Sequence, residues 1–182
     1  EEGESTRFYS EYERKDGSTY PVELTLTAIR LKGEPVILGL AKDITDRKRY
    51  EEALQKRTKL LAEAEKMADM GAWEWDVEND RFMFSEEWQR IHGCTASELS
   101  MNGLLSVVHP EDRSFVKQAM QEALDENESY DIEHRIIRQD NGEERFIRCR
   151  GKVTLDENSD VSGMYGTAQD ITEQKRAEEA LK

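Results

Sequence analysis

The sequence repeats itself. Gly39 to Gln55 reads GLAKDITDRKRYEEALQ and Gly166 to Lys182 reads GTAQDITEQKRAEEALK, 127 residues apart and identical at eleven of seventeen positions. Related stretches precede both copies: ERKDGSTYPVELTLTAIRLKGEPVI before the first and IIRQDNGEERFIRCRGKVTLDENSDVSGM before the second. A chain built this way folds one supersecondary unit twice. Here the unit is strand, Gly turn, strand, polar turn, strand, helix. At roughly 150 residues per domain, 182 residues leave room for one ordinary domain or two small ones.

The strands follow from alternation. From Tyr20 to Ala28, Val22, Leu24, Leu26 and Ala28 point one way while Glu23, Thr25 and Thr27 point the other, the pattern of a half-buried strand. Asp16-Gly17 predicts a tight hairpin back to Phe8–Arg14, and Lys32 to Pro35 turns the chain into Val36–Ile44. In the second copy Tyr130, Ile132, His134 and Ile136 share a face, and Asn141-Gly142 turns. Ile147, Cys149, Val153 and Leu155 share the next strand's face, opposite Arg148, Arg150 and Lys152. Asp156 to Asp160 is a polar turn, and Val161 to Ile171 is the last strand.

What precedes the two copies differs. Before the second, Ala72–Val77 and Arg81–Ser85 bracket a short hairpin at Glu78-Asn79-Asp80. Ser85 is placed to cap a helix that Gly93 ends, and Pro110 stands near the start of a longer helix to about Asp125. Only seven residues precede the first copy's opening strand. The expected organisation is therefore the C-terminal half of one domain at 1–44, a linker helix at 45–68, a complete domain at 69–172 and the start of an output helix at 173–182. With no initiator Met and an end in mid-helix, the sequence reads as a piece of a longer protein. The apolar strand face of the first half, Leu24 and Leu26 included, is expected to pack on a second chain or a neighbouring domain, because about 44 residues seldom bury a sufficient core.

Thr45 and Thr172 stand where an N-cap hydroxyl could accept from free backbone amides, followed by the acids Asp46 and Glu173 that a helix dipole favours. Heptad counting along the linker puts Leu54, Leu61 and Ala68 at one seam position and Tyr50, Arg57 and Ala64 at the other. Arg57 weakens any coiled coil. At about 1.5 Å per residue, such a helix reaches roughly 35 Å, enough to hold two domains apart.

Composition excludes several classes. Forty acids against 26 bases give a net charge of -14, a poor match for a nucleic-acid backbone, whose binding needs clustered Lys and Arg. The longest apolar run, Val36–Ala41, falls far short of the roughly 20 residues that span a bilayer. Two cysteines, Cys94 and Cys149, form neither a CxxC motif nor a disulfide framework, and suit a reducing, cytoplasmic setting. No Gly-rich phosphate loop, GxSxG elbow or HExxH is present, so no enzyme activity is expected. Adjacent acids such as Glu51-Glu52 and Glu178-Glu179 face different directions on a helix and read as solvated surface.

Both copies, DG or NG hairpin followed by DIT and a charged helix, with GAWEWDVENDRFMFSEEWQRIHG and VVHPEDR ahead of the second, closely resemble tandem PAS domains with their C-terminal PAC segments. The resemblance covers nearly the whole chain. It implies an α+β fold, a five-stranded antiparallel sheet of order 2-1-5-4-3 with short helices on one face, joined by the long helix to a partial second unit. Such modules are similar to those found before histidine kinase, diguanylate cyclase or phosphodiesterase domains of signalling proteins, which implies a homodimer with an output domain in the parent chain.

The resemblance implies that Asp43, Thr45, Asp170 and Thr172 couple the last strand of each copy to the helix that follows; a purely structural cap accounts for the same residues. Trp73, Trp75 and Trp88 line a ligand pocket or fill the core. With Trp75 and Trp88, the pocket candidates are His134, Cys149 and Met164. Cys94 lacks the surroundings of flavin-adduct PAS domains, and no pair among His92, His109 and His134 has metal-site spacing, so the sequence requires no metal, haem or flavin. His109 to Arg113 looks structural. Two functions remain: a sensory and dimerisation module that binds a small molecule or partner, and a ligand-free spacer that sets dimer geometry. A haem or flavin redox sensor is a third.

Overall fold

The first hairpin forms where Asp16-Gly17 stands. Asp16 Oδ1 accepts from the amide and the hydroxyl of Ser18 at 2.9 and 2.6 Å, and Gly17 takes a φ of 82° that a side chain resists. In the computed structural model, which describes residues 5–181, this turn joins β1 (Ser5–Glu13) to β2 (Thr19–Leu31). Lys32 and Gly33, both at positive φ, then turn β2 into β3 (Glu34–Asp43). The three make an antiparallel sheet of order β1-β2-β3, with Leu24 between Phe8 and Ala41. Val22 on that face is buried and Leu24 and Leu26 are half-buried, whereas Phe8 and Ile37 are exposed.

The chain divides into two units, Glu1–Lys59 and Leu60–Lys182, and α1 (Thr45–Met67) begins in the first and ends in the second. It buries none of its residues. Tyr50, Leu54 and Leu61 are each more than half exposed, and Ala68 lies just past the helix end.

The second unit runs β4 (Met70–Asp76), β5 (Arg81–Phe84), α2 (Glu86–His92), β6 (Glu98–Leu99), α3 (Met101–Val107), α4 (Arg113–Glu126), β7 (Tyr130–Ile137), β8 (Glu144–Leu155), β9 (Val161–Asp170) and α5 (Thr172–Ala180). It is α+β, built on an antiparallel sheet of order β6-β5-β4-β9-β8-β7. The expectation of five strands is corrected to six, because Leu99 and Glu98 pair with Phe82 and Met83 at the outer edge. α3 is likewise additional; Ser100 caps it, its Oγ accepting from the Gly103 amide at 3.3 Å. The output helix begins at Thr172 rather than 173.

Caps fix where the helices cross the sheet. Ser85 Oγ accepts from the Trp88 amide at 3.3 Å and from the Ala72 amide of β4 at 3.0 Å, so one hydroxyl both starts α2 and ties it to the sheet. Gly93 ends α2 in the left-handed conformation. α4 starts three residues after Pro110, at Arg113, and Asp112 does not cap it. Its carboxylate instead accepts from the Arg135 amide at 2.8 Å and from the Arg135 guanidinium at 2.6 and 3.1 Å. Arg113 Nε reaches the Val108 carbonyl at 3.1 Å. The His109–Arg113 stretch thus staples the start of α4 to β7.

Aromatic side chains fill the space between helices and sheet. Trp75, Phe82, Phe84, Trp88 and His92 form a continuous series of stacked rings, with centroid separations of 4.9, 6.2, 3.7 and 3.7 Å. Trp73 meets Tyr130 edge to face at 6.1 Å.

Candidate functional site

Strand alternation aims Trp73 of β4, Tyr130 and His134 of β7 and Cys149 of β8 at the same interior space. α2 adds Trp88 and His92 from above, and Leu104, Val107, Val116 and Met120 of α3 and α4 close it. The result is a cavity of about 30 Å³ whose wall holds no Asp, Glu, Lys or Arg.

Three of the five expected pocket residues, Trp88, His134 and Cys149, line this cavity. Trp75 and Met164 do not. They face each other across β4 and β9, one strand repeat of about 7 Å beyond Trp73, and lie in the packed core, where Trp75 stacks on Phe82 and Met164 is fully buried. Sequence alternation gave them the right face of the sheet but not their position along it. Tyr130 and His92 also line the cavity; alternation along β7 places Tyr130 on the face of His134, whereas the position of His92 depends on how α2 crosses the sheet.

Burial governs the chemistry of these groups. His92 is pushed down to about 3, chiefly by desolvation, with its Nδ1 2.8 Å from the Trp88 carbonyl. His134 is pushed down to about 4, again by desolvation. Both are neutral at pH 7. Burial raises the Cys149 thiol to about 12, so it carries no thiolate. Cys94 is outside the cavity wall, its Sγ accepting from the Ala96 amide at 3.4 Å. Among the described residues no cluster of three His, Cys, Asp or Glu side chains is arranged to hold a metal ion.

The two Asp-Ile-Thr turns are built alike, and neither threonine is the N-cap acceptor that sequence predicted. Asp43 Oδ1 accepts from the Thr45 amide at 2.8 Å and hydroxyl at 2.5 Å; Asp170 Oδ1 accepts from the Thr172 amide at 3.0 Å and hydroxyl at 2.6 Å. The aspartate is the acceptor because it precedes the helix by two residues, whereas the threonine already has helical geometry. Arg14 pairs with Asp43 at 3.1 Å and Arg145 with Asp170 at 2.6 Å. Burial raises Asp170, but the Thr172 and Arg145 bonds outweigh it and hold the carboxyl below its ordinary value.

α5 is fastened to the strands that line the cavity. Arg145 and the Phe146 amide of β8 hold Asp170 and Thr172, and Lys175 reaches Glu133 of β7 at 2.5 Å. Between β7 and α5 lies a polar cleft of about 410 Å³, bordered by Asp112, Glu133, Phe146, Lys175 and Glu178. His134 borders both the cleft and the interior cavity.

An antiparallel sheet with helices on one face, an interior cavity against that face and a helix leaving the last strand through Asp-Ile-Thr make up a PAS fold. Residues 81–168 match the family described as PAS fold, and residues 1–46 match one described as PAS domain; the chain is similar to PAS sensory domains of signalling proteins. Over 113 residues, 62% of this chain, it is 35% identical to a blue-light-activated histidine kinase of Brucella abortus, of which those residues are 22%. The crystal structure of a sensory box histidine kinase/response regulator from Burkholderia thailandensis is 27% identical, with a TM-score of 0.56 over 66% of this chain and 91% of that one. A domain of the putative light and redox sensing histidine kinase from Haloarcula marismortui is 25% identical, with a TM-score of 0.51 over 64% and 99%. The chain spans 17% to 22% of the length of curated relatives it matches. No helix among the described residues is long and apolar enough to cross a membrane.

Proposed function

We propose that this chain is a sensory and dimerisation module rather than a catalyst, and that it serves a histidine kinase in the cytoplasm. Its PAS domain takes a small molecule in the cavity and passes its state through Asp170 and Thr172 to α5. One observation carries the reading: His134 borders both the cavity and the cleft beside α5, and its neighbour Glu133 holds Lys175. A ligand that moves β7 or β8 inside the cavity therefore acts on the same strands that anchor the output helix. The first turn, with Asp43 and Thr45, would relay in the same way into α1.

The dimer reading rests on α1. A helix of 23 residues that buries none of them is a natural seam for a second copy, with Leu54 and Leu61 on one line. The same helix supports the competing reading of a ligand-free spacer. Native mass spectrometry of the chain separates the two: a dimer with added ligand mass is the expected result, and a ligand-free dimer would favour the spacer.

A cysteinyl-flavin sensor fits these residues poorly. Cys94 is outside the cavity, and Cys149, which lines it, is held as a thiol by burial. A haem would need far more space than about 30 Å³.

A further inference from the structure

Asp170 serves two helices. Its backbone N–H donates to the Asp69 carbonyl at 2.9 Å, just beyond the end of α1, while its carboxylate accepts from the amide and hydroxyl of Thr172, the first residue of α5. α1 buries none of its residues, so its last turn is held to the second unit by what its end bonds. The Ala68 amide still reaches the Ala64 carbonyl at 3.1 Å and the Asp69 amide the Lys66 carbonyl at 3.3 Å. Asp69 then takes a φ of 47° and leaves the helix, a left-handed conformation that costs about 1–2 kcal/mol outside glycine and is commonest there in Asp and Asn.

Side chains fasten the same junction. Arg90 of α2 donates through Nη2 to Asp69 Oδ1 at 2.7 Å and through Nε to the Glu87 carboxylate at 2.9 and 3.0 Å. Glu87 is buried, so the guanidinium is fixed at its inner end, and the planar fork fixes Asp69 at its outer one. Gln169 Nε2 of β9 donates to the Ala68 carbonyl at 3.4 Å. The residue that ends α1 is thus tied both to α2 and to the end of the last strand. Neither Asp69, Glu87 and Arg90 nor Gln169 and Asp170 line the interior cavity.

We infer that Asp69 is a positioning residue that couples α1 to α5 through Asp170, so that a change in α1 reaches α5 without passing through the cavity. An unwinding or tilt of the last turn of α1 displaces the Asp69 carbonyl, and the Asp170 amide bonded to it carries the carboxylate that holds Thr172. The Arg90 clasp makes that displacement specific, because it allows Asp69 few other positions. The inference rests on the reading of α5 as the output helix and adds an input to it that needs no ligand.

Hydrogen exchange on the whole chain at neutral pH tests it with no ligand added. Ala64 is exposed, so Ala64→Pro breaks the last turns of α1 without cutting into the core. Exchange at Lys175–Ala180 of α5 is expected to rise about fivefold, while β7 and β8 keep their protection. Ala64→Gly, a milder perturbation, is expected to raise exchange less and at the same amides. Asp69→Gly removes the carboxylate yet suits the left-handed turn, and in that background Ala64→Pro is expected to add nothing at α5. A merely structural Asp69 would instead give additive changes. An α5 unmoved by Ala64→Pro, a rise spread equally through β7 and β8, or the same rise in the Asp69→Gly background overturns the coupling. Ligand mass in native mass spectrometry is read separately, so a failed coupling leaves the sensing pocket standing and an empty pocket leaves the coupling standing.

Discussion

The backbone N–H of Phe146 donates to the hydroxyl of Thr172 across 3.0 Å. In the first copy the corresponding strand position is Pro21: its carbonyl accepts from the Ile44 amide as that of Phe146 accepts from Ile171, but it has no N–H to offer Thr45. One substitution between repeats thus removes a bond that ties strand to helix in the second turn.

Thr172→Val is therefore expected to leave the Phe146 N–H unpartnered in a buried site and to cost about 1–3 kcal/mol. Thr45→Val, with no such donor facing it, is expected to cost less than about 1 kcal/mol. Urea denaturation of both variants checks this, and equal losses would contradict it.

Asp170→Asn removes the charge that pairs with Arg145 while keeping side-chain shape. Hydrogen exchange is expected to rise across α5 while the amides of β8 and β9 stay protected, at a cost of about 1–2 kcal/mol. Exchange rising equally through the sheet would make the turn a structural cap and nothing more.

The buried histidines set an acid limit on stability. His92 and His134 have folded values near 3 and 4 against 6.5 when free. Between those values the unfolded chain binds protons that the folded chain does not, so their contribution is complete above about pH 6.5 and is lost as pH falls towards 4. The expected slope is up to about 1.4 kcal/mol per pH unit for each group. Urea midpoints measured from pH 7.5 to 5 should fall, and His134→Phe should flatten the fall.

Gly166 and Gly39 occupy the same position in the two copies. A Cβ on Gly166 would collide with the Arg150 carbonyl and the Gly151 Cα, whereas one on Gly39 meets only Leu26 Cδ2 at 3.2 Å. Gly166→Ala is expected to cost about 1–3 kcal/mol and Gly39→Ala to stay within about 1 kcal/mol of the parent. Thermal melts of the two variants compare them directly.

Much of this was legible without coordinates. Alternation at Tyr130–Ile136 and the glycines at 17, 93 and 142 record local backbone preferences, and they located the strands, the turns and the end of α2. The repeat identified both Asp-Ile-Thr turns. Which group accepts in those turns depended on the helix starting at the threonine itself, a one-residue difference that sequence does not resolve. β6 and α3 owe their existence to the sheet edge and to the surface beneath them, contacts distant in sequence. The cavity is the clearest case: sequence determined that Trp75 and Trp88, like His134, Cys149 and Met164, belong to an interior, because period and polarity are local properties. Only the tertiary structure decided that Met164 and Trp75 pack solid while Trp73, Tyr130 and His92 leave a space, because a void is defined by how far apart non-neighbouring elements come to rest.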